Sequence, residues 1–380
     1  ALAAERAVRA GAAPPAAFGW RWAQELSLEE AARRDPAGRS EILHPPERVT
    51  NPLPLGAAGR EALPDEMADW FGFSLRDATR RLGGATLRAT LGEATLVACL
   101  DDRGEYWPTI LDGGDRALRL REVRFRPMHG AALREAPAPE RRGPTAWIAE
   151  RVYHNHAHWL TAHLPKLCLL ERDGGLDQLA LPTRRTTAIA ASLRMFGLEP
   201  DAVPAVDALS APVRFERLTL FDTDRLRPEL LRMARDRLAR PAEAPRRRLF
   251  VTRAGATGRR LVNQTEVEAL LGAFGFETIA FEDMSFDEQI KTMGAASIVV
   301  APHGAGIANI LFCQPGAQLI EIADWSYPNP NFYAMAASLG LPYQHVPARF
   351  EGGDPETPLR RDMAVDLGAL RRALARSVER

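Results

Sequence analysis

Ser297-Ile298-Val299-Val300-Ala301-Pro302-His303-Gly304-Ala305-Gly306-Ile307-Ala308-Asn309 is the stretch that decides the reading of this chain. An apolar, β-branched run ends at a proline, and a histidine and two glycines then open a second apolar stretch. The pattern is that of a buried strand feeding a helix N-terminus through a turn poor in side chains, where backbone N–H groups can meet an anion. Glycine suits such a turn because a β-carbon would hold a phosphate or carboxylate off the backbone. The Gly304-Ala305-Gly306 spacing is unspecific by itself, and Asn309 stands where the third glycine of a dinucleotide fingerprint would fall.

Outward from this turn, strands and helices alternate. Strands are expected at Leu249–Thr252, Glu277–Phe281, Ile298–Ala301, Gln318–Ile322 and Tyr343–Val346. Helices are expected at Gln264–Phe274 behind a capping Asn263, Phe286–Met293 behind Ser285, Ala305–Phe312 and Asn331–Leu339. Short turns between them predict a doubly wound parallel sheet, whose ligands lie beyond the carboxyl ends of the strands. Arg253, His303 and Glu321 sit at three of those ends. Arg253, Arg259 and Arg260 belong to a glycine-punctuated loop, Thr252–Arg260, that suits a diphosphate through charge-assisted, bidentate hydrogen bonds. Glu321 precedes the polar loop Asp324–Pro330 and can accept from ribose hydroxyls. His303 can bind a phosphate or sugar oxygen or act as acid or base, and Asn309 can bind ligand or satisfy local backbone. The plainer alternatives are a solvated basic loop, a capping histidine and a structural ion pair.

Ahead of this region, residues 1–93 are rich in Ala, Pro and Arg and read as irregular. Pro14-Pro15, Pro45-Pro46 and Asn51-Pro52 interrupt them, and helices are confined to Ser27–Arg34 and Leu63–Arg81. Residues 94–241 read as a first domain. It has strands at Thr95–Leu100, Leu118–Phe125, Thr145–Glu150, Gln178–Leu181 and Val213–Phe221. Its helices fall at His158–Glu171, Arg184–Phe196 and Arg227–Arg240, and Ala136–Pro144 is a linker. Ala242–Pro245 reads as a hinge, 246–350 as a second domain, and 351–380 as a tail whose helix, Asp362–Arg380, packs back on the first domain.

Four of the eight histidines lie in His154-Asn-His156-Ala-His158-Trp-Leu-Thr-Ala-His163. On a strand, alternate histidines point one way and can bind zinc, which makes a metal-dependent hydrolase the alternative reading. The Asp-His that completes such metallo-hydrolase patterns is absent, and a histidine acting as general base is the stronger reading.

Composition removes other classes. The net charge is zero, so no global field favours nucleic acid or an anionic membrane. Of 49 basic residues only Lys166 and Lys291 are lysine. Cys99, Cys168 and Cys313 are too few and too scattered for a disulfide framework or a zinc knuckle, which points to a reducing compartment. No apolar run approaches the ~18 residues of a membrane span, and no signal peptide is visible. There is neither a G-x-S-x-G elbow nor a P-loop.

With these residues assembled, the chain resembles glycosyltransferase family 61. The shared elements run Val251-Thr-Arg253, Arg260-Leu-Val-Asn263, Phe274-Gly-Phe276, Ser285-Phe-Asp-Glu-Gln289, Ala301-Pro-His303-Gly-Ala-Gly306, Asn309-Ile-Leu-Phe312, Pro315-Gly316 and Ile320-Glu321. A second match is His158-Trp-Leu160 followed by Leu164-Pro-Lys-Leu167. Two positions depart: Ala162 replaces a common acid four residues after His158, and Gln264 replaces a common Glu. The resemblance implies an α/β, GT-B-like fold, two Rossmann-like domains facing across a cleft, with the sugar nucleotide on the C-terminal one. It implies inverting transfer without an obligatory metal or cofactor, from a UDP-linked sugar to a glycan or polysaccharide acceptor. Arg253, Arg259, Arg260, His303, Gly304, Ala305, Gly306, Asn309 and Glu321 are then donor ligands. His158 is the first candidate for the base and His163 the second. A bacterial enzyme of capsule-type synthesis is expected, cytoplasmic or peripheral to the inner membrane. A catalytically inactive glycan- or nucleotide-binding protein is a further alternative.

Overall fold

The computed structural model describes residues 25–353 and 360–378; the Pro14-Pro15 break lies outside them. The chain is mixed α/β and divides into two compact units. Of the described residues, one unit holds 25–46 and 84–224, and the other holds 47–83, 225–353 and 360–378.

The second unit is built on a six-stranded sheet. Its elements, in chain order, are β1 (Arg247–Val251), α1 (Gln264–Ala273), β2 (Phe276–Ile279), α2 (Phe286–Gly294), β3 (Ala296–Pro302), β4 (Gln318–Asp324), α3 (Asn331–Ser338), β5 (Tyr343–Gly353), β6 (Arg361–Val365) and α4 (Leu367–Val378). The sheet order is β2-β1-β3-β4-β5-β6, parallel except for β6, which runs antiparallel to β5. The chain leaves β1 to one side for β2 and returns to its other side for β3, so the direction of winding switches between β1 and β3. In β3, Ile298, Val299, Val300 and Ala301 are buried in succession, as a parallel strand covered on both faces requires.

Ser285 caps α2 with a full capping box to Glu288, as the sequence suggests. Asn263 does not cap α1: its side chain donates to Val365 O at 2.9 Å and accepts from Val365 N–H at 3.2 Å, binding the edge strand β6. The tail expected as one helix is strand β6 followed by α4. Leu370, Ala373 and Leu374 of α4 join Phe250, Val300, Ile320 and Met363 in the core of this second unit. The element after His303 is a 3₁₀ helix, Ala305–Phe312, rather than an α-helix.

Residues 47–83, expected as loose chain with a helix at Leu63–Arg81, are ordered differently. Glu47–Thr50 pairs antiparallel with Arg80–Gly83, and the only α-helix between them is the four-residue Ala68–Phe71. The segment is tied to the second unit's sheet and helices, with Leu55 N–H donating to Tyr343 O and Tyr333 Oη to Pro52 O, both at 2.7 Å.

The first unit is not a doubly wound parallel sheet. In one of its sheets Thr145–Trp147 runs parallel to Leu179–Ala180 and Leu218–Asp222, but Thr86–Leu91 and Arg39–His44 continue it antiparallel. A second sheet is built on the antiparallel pair Ala94–Leu100 and Tyr106–Asp112. The run expected as one strand, Val213–Phe221, is cut at Glu216-Arg217: Val213–Phe215 joins this second sheet and Leu218–Asp222 the other. Alternation of apolar residues survives such a change of sheet, so the sequence does not announce it. Leu28–Arg34 is helical as expected, with Ser27 and Glu30 forming a capping box.

Candidate functional site

The β1/β3 switch point places Arg253 and His303 side by side. Gly304 has extended backbone (φ 174°, ψ 168°), open to any residue, so its glycine serves space rather than conformation. A β-carbon there would collide with the Arg253 guanidinium, which lies over the turn. At Gly306 a β-carbon would come within 3.2 Å of the Phe281 ring. The turn is therefore not bare backbone, as the sequence suggested, but backbone roofed by an arginine.

Arg253 Nη2 donates to Gly258 O at 2.9 Å. Burial, then the neighbouring Arg259, pull its pKa down to about 10, against the opposing pull of Glu282 and Asp362. Arg259 lies in the left-handed region (φ 57°) and its N–H donates to Arg361 O at 2.9 Å. Its pKa is also lowered by burial, opposed by Tyr327 and Glu321. The Nε atoms of Arg253 and Arg259 are buried and find no acceptor among the described residues. Two like charges brought together with donors unspent make a place for an anion.

The left-handed turn at Arg259 sends the next arginine elsewhere. Arg260 binds Asp362 of β6 through Nη2 at 2.7 Å and Nε at 3.1 Å, and its N–H reaches the other carboxylate oxygen at 3.0 Å. That pair holds Asp362 below the usual carboxylate range, chiefly by the Arg260 side-chain hydrogen bond. Arg260 is thus engaged in joining the loop to β6.

Glu321 is buried in β4, and both its oxygens are used: Oε1 lies 2.5 Å from His303 Nδ1 and Oε2 accepts from Tyr343 Oη at 2.8 Å. It holds His303 instead of reaching a ribose. Asn329 fixes the imidazole from the other side. Its Oδ1 accepts from Asn331 N–H at 2.9 Å, which turns its amide N–H₂ toward His303 Nε2 at 3.3 Å. These bonds assign the ring proton to Nδ1 and leave Nε2 as the acceptor. Phe332 (5.2 Å) and Tyr327 (6.3 Å) flank the ring. Asn309 is fully buried and its amide reaches Gln289 of α2 at 3.3 Å, so it ties the 3₁₀ helix to α2. Ala305 and Gly306 are half-buried beside the turn.

In the first unit the histidine cluster lies on a turn and helix, not a strand: His156–His158 is α-helical and Trp159–His163 forms a π-turn before Leu164–Arg172. Pro165, which has no N–H, follows the widened turn, and His163 Nδ1 donates instead to His158 O at 2.9 Å. His163 Nε2 accepts from Glu150 N–H at 3.1 Å, and the ring stacks on Trp159. Burial lowers its pKa to about 4. With both nitrogens spent and no exposure, His163 is a structural residue. His158 keeps a half-buried ring. Off a strand the alternate histidines do not converge, and no group of three or more His, Cys, Asp or Glu among the described residues is placed to hold a metal ion.

Tyr343, Asn329, Tyr327 and Asp362 belong to the site, yet sequence reasoning did not single them out. The polar, aromatic loop Asp324–Pro330 was the available signal for two of them.

The glycosyltransferase 61 family model matches residues 156–320. A rice (Oryza sativa subsp. japonica) beta-1,2-xylosyltransferase, XAX1, is 30% identical over 156 residues, 39% of this chain and 26% of that protein. The protein O-linked-mannose beta-1,4-N-acetylglucosaminyltransferase 2 of Takifugu rubripes is 29% identical over 114 residues, 28% of this chain and 19% of the fish protein. An Arabidopsis thaliana beta-1,2-xylosyltransferase is 32% identical over 60 residues, 16% of this chain and 11% of that protein. The chain spans about a quarter or less of the length of these relatives. They are plant and vertebrate proteins, which corrects the expectation of a bacterial, cytoplasmic, capsule-type enzyme. No helix among the described residues is long and apolar enough to cross a membrane.

Proposed function

We propose, from the premise that residues 156–320 of this chain belong to glycosyltransferase family 61, that the protein transfers a sugar from a nucleotide-diphospho-sugar, UDP-linked, to a glycan acceptor. The observation that carries the donor half is the pair of buried, unspent guanidinium Nε donors of Arg253 and Arg259 at the β1/β3 switch point. As the glycosidic bond to the donor breaks, negative charge grows on the departing diphosphate. Arginines already in place stabilise that charge without reorganising, which lowers the barrier. In this reading they fill the role that a metal ion plays elsewhere. His303, with Glu321 on Nδ1, offers Nε2 as an acceptor for a donor hydroxyl once Asn329 gives way.

Inversion requires a base on the acceptor side that takes the hydroxyl proton as the anomeric carbon becomes cationic. His158 is assigned that role, since His163 has no free nitrogen. The test is release of UDP from UDP-sugars, with and without glycan acceptors. Acceptor-dependent release is the expected result. Tight UDP binding with no turnover of any sugar donor would favour the inactive binding protein instead.

A further inference from the structure

An exposed tryptophan stands next to this site without a structural reason for its exposure. Trp70 is 70% exposed, whereas Phe250, Phe312, Tyr333 and Tyr343 of the same unit are buried. It sits on the short helix Ala68–Phe71 between Met67 (φ 67°) and Gly72 (φ 87°). A left-handed methionine is an unfavourable conformation held by its surroundings. The Trp70 side chain lies near enough to the Tyr327 hydroxyl to interact with it, and Phe71 packs edge-on against the Tyr327 ring at 5.7 Å. Tyr327 lies 6.3 Å from the His303 ring and interacts electrostatically with Arg259. The Phe71–Tyr327 contact sets the short helix carrying Trp70 beside Tyr327 while the indole stays open to solvent.

We propose that Trp70, braced by Tyr327, is the wall on which the base of a nucleoside diphosphate stacks when its phosphates lie against Arg253 and Arg259. The inference rests on the donor-site reading and adds the element that recognises the base. A nucleoside diphosphate carries a flat π-system tethered close to its phosphates, and Tyr327 links the arginine end of the site to the exposed indole. Stacking on an aromatic face tolerates any base, so the wall supplies affinity more than choice among bases. Trp70 belongs to residues 47–83, outside the family-matched stretch 156–320, so this wall is not part of the shared family segment.

The test is calorimetric titration of UDP and of inorganic pyrophosphate into the full chain, as wild type, Trp70→Ala and Trp70→Phe. Trp70→Ala is expected to weaken UDP about tenfold while leaving pyrophosphate unchanged. Trp70→Phe keeps a stacking face and is expected to lose clearly less. Unchanged UDP affinity in Trp70→Ala overturns the proposal. So does equal weakening of both probes, or equal loss in the two variants, since Trp70 then only holds Tyr327 in place. Wild type that binds pyrophosphate but UDP no more tightly overturns the stacking wall alone. Wild type that binds neither probe overturns the anion site and the wall with it.

Discussion

His163 in the first unit and His303 in the second are assembled from the same parts: a buried imidazole, a buried glutamate and an aromatic neighbour. Their surroundings differ in where the charges end. Beside His163, Glu150 is compensated inside the fold by Lys166 at 2.6 Å and by Arg121, which hold its carboxyl low despite burial. Both His163 nitrogens and both Glu150 oxygens have partners there, although Arg121 Nε is itself buried without an acceptor among the described residues, and the arrangement fixes a π-turn. Beside His303, Glu321 takes its hydrogen bonds from the imidazole and Tyr343, and the nearby Arg253 and Arg259 keep unspent donors. The lesson is that residue types do not separate a structural histidine from a ligand-facing one. What differs is how the glutamate is held: by the two cations Lys166 and Arg121 beside His163, and by the imidazole and the Tyr343 hydroxyl beside His303.

The largest effect expected from this contrast is at His158, which lies on the same turn as His163 but keeps a half-buried ring. His158→Ala should lower kcat for transfer by about 10²–10⁴-fold, the usual range for a lost general base, with donor affinity unchanged. An equal kcat loss in a stably folded His163→Ala variant would break the comparison.

His163→Ala should instead destabilise the fold by about 3 kcal/mol, through a cavity and two orphaned backbone groups, as read by chemical denaturation. The pH dependence follows from its lowered pKa of about 4. The unfolded chain takes up a proton near the ordinary histidine value of about 6.5, while the folded chain resists until about 4. The contribution of a neutral His163 is therefore complete above the unfolded value and is lost as pH falls from there toward 4. Over that interval His163→Ala should show a flatter stability profile than the wild type.

Arg260→Ala should have the smallest effect. Its half-exposed guanidinium pairs with Asp362, so UDP affinity should not change measurably and Tm should fall slightly. Because Asp362 is held below its ordinary value in the fold, that contribution is present above the ordinary carboxylate range and lost as pH falls through the folded value. Loss of UDP binding in Arg260→Ala would move the anion site from Arg259 to Arg260.

The strand–helix rhythm from β1 to β5 was readable in the sequence because parallel strands buried on both faces show as plain apolar runs. The convergence of Arg253 and His303 followed from it. Three things were not readable. The left-handed turn at Arg259 gives two adjacent arginines opposite duties, and no residue type announces it. Glu321 lies at the right strand end but faces inward, which a one-residue shift of strand phase decides. Residues 47–83 join the second unit through backbone bonds such as Leu55 N–H to Tyr343 O, long-range contacts with no local signature.

The most direct test is titration of UDP into the wild type and into an Arg253→Ala/Arg259→Ala variant whose fold is verified by its unfolding transition. Saturable binding to the wild type, reduced by two orders of magnitude or more in the double variant, is the expected result for two lost charge-assisted contacts of about 1.5–3 kcal/mol each. Equal UDP affinity in the two proteins would contradict the assignment of the β1/β3 switch point as the donor site.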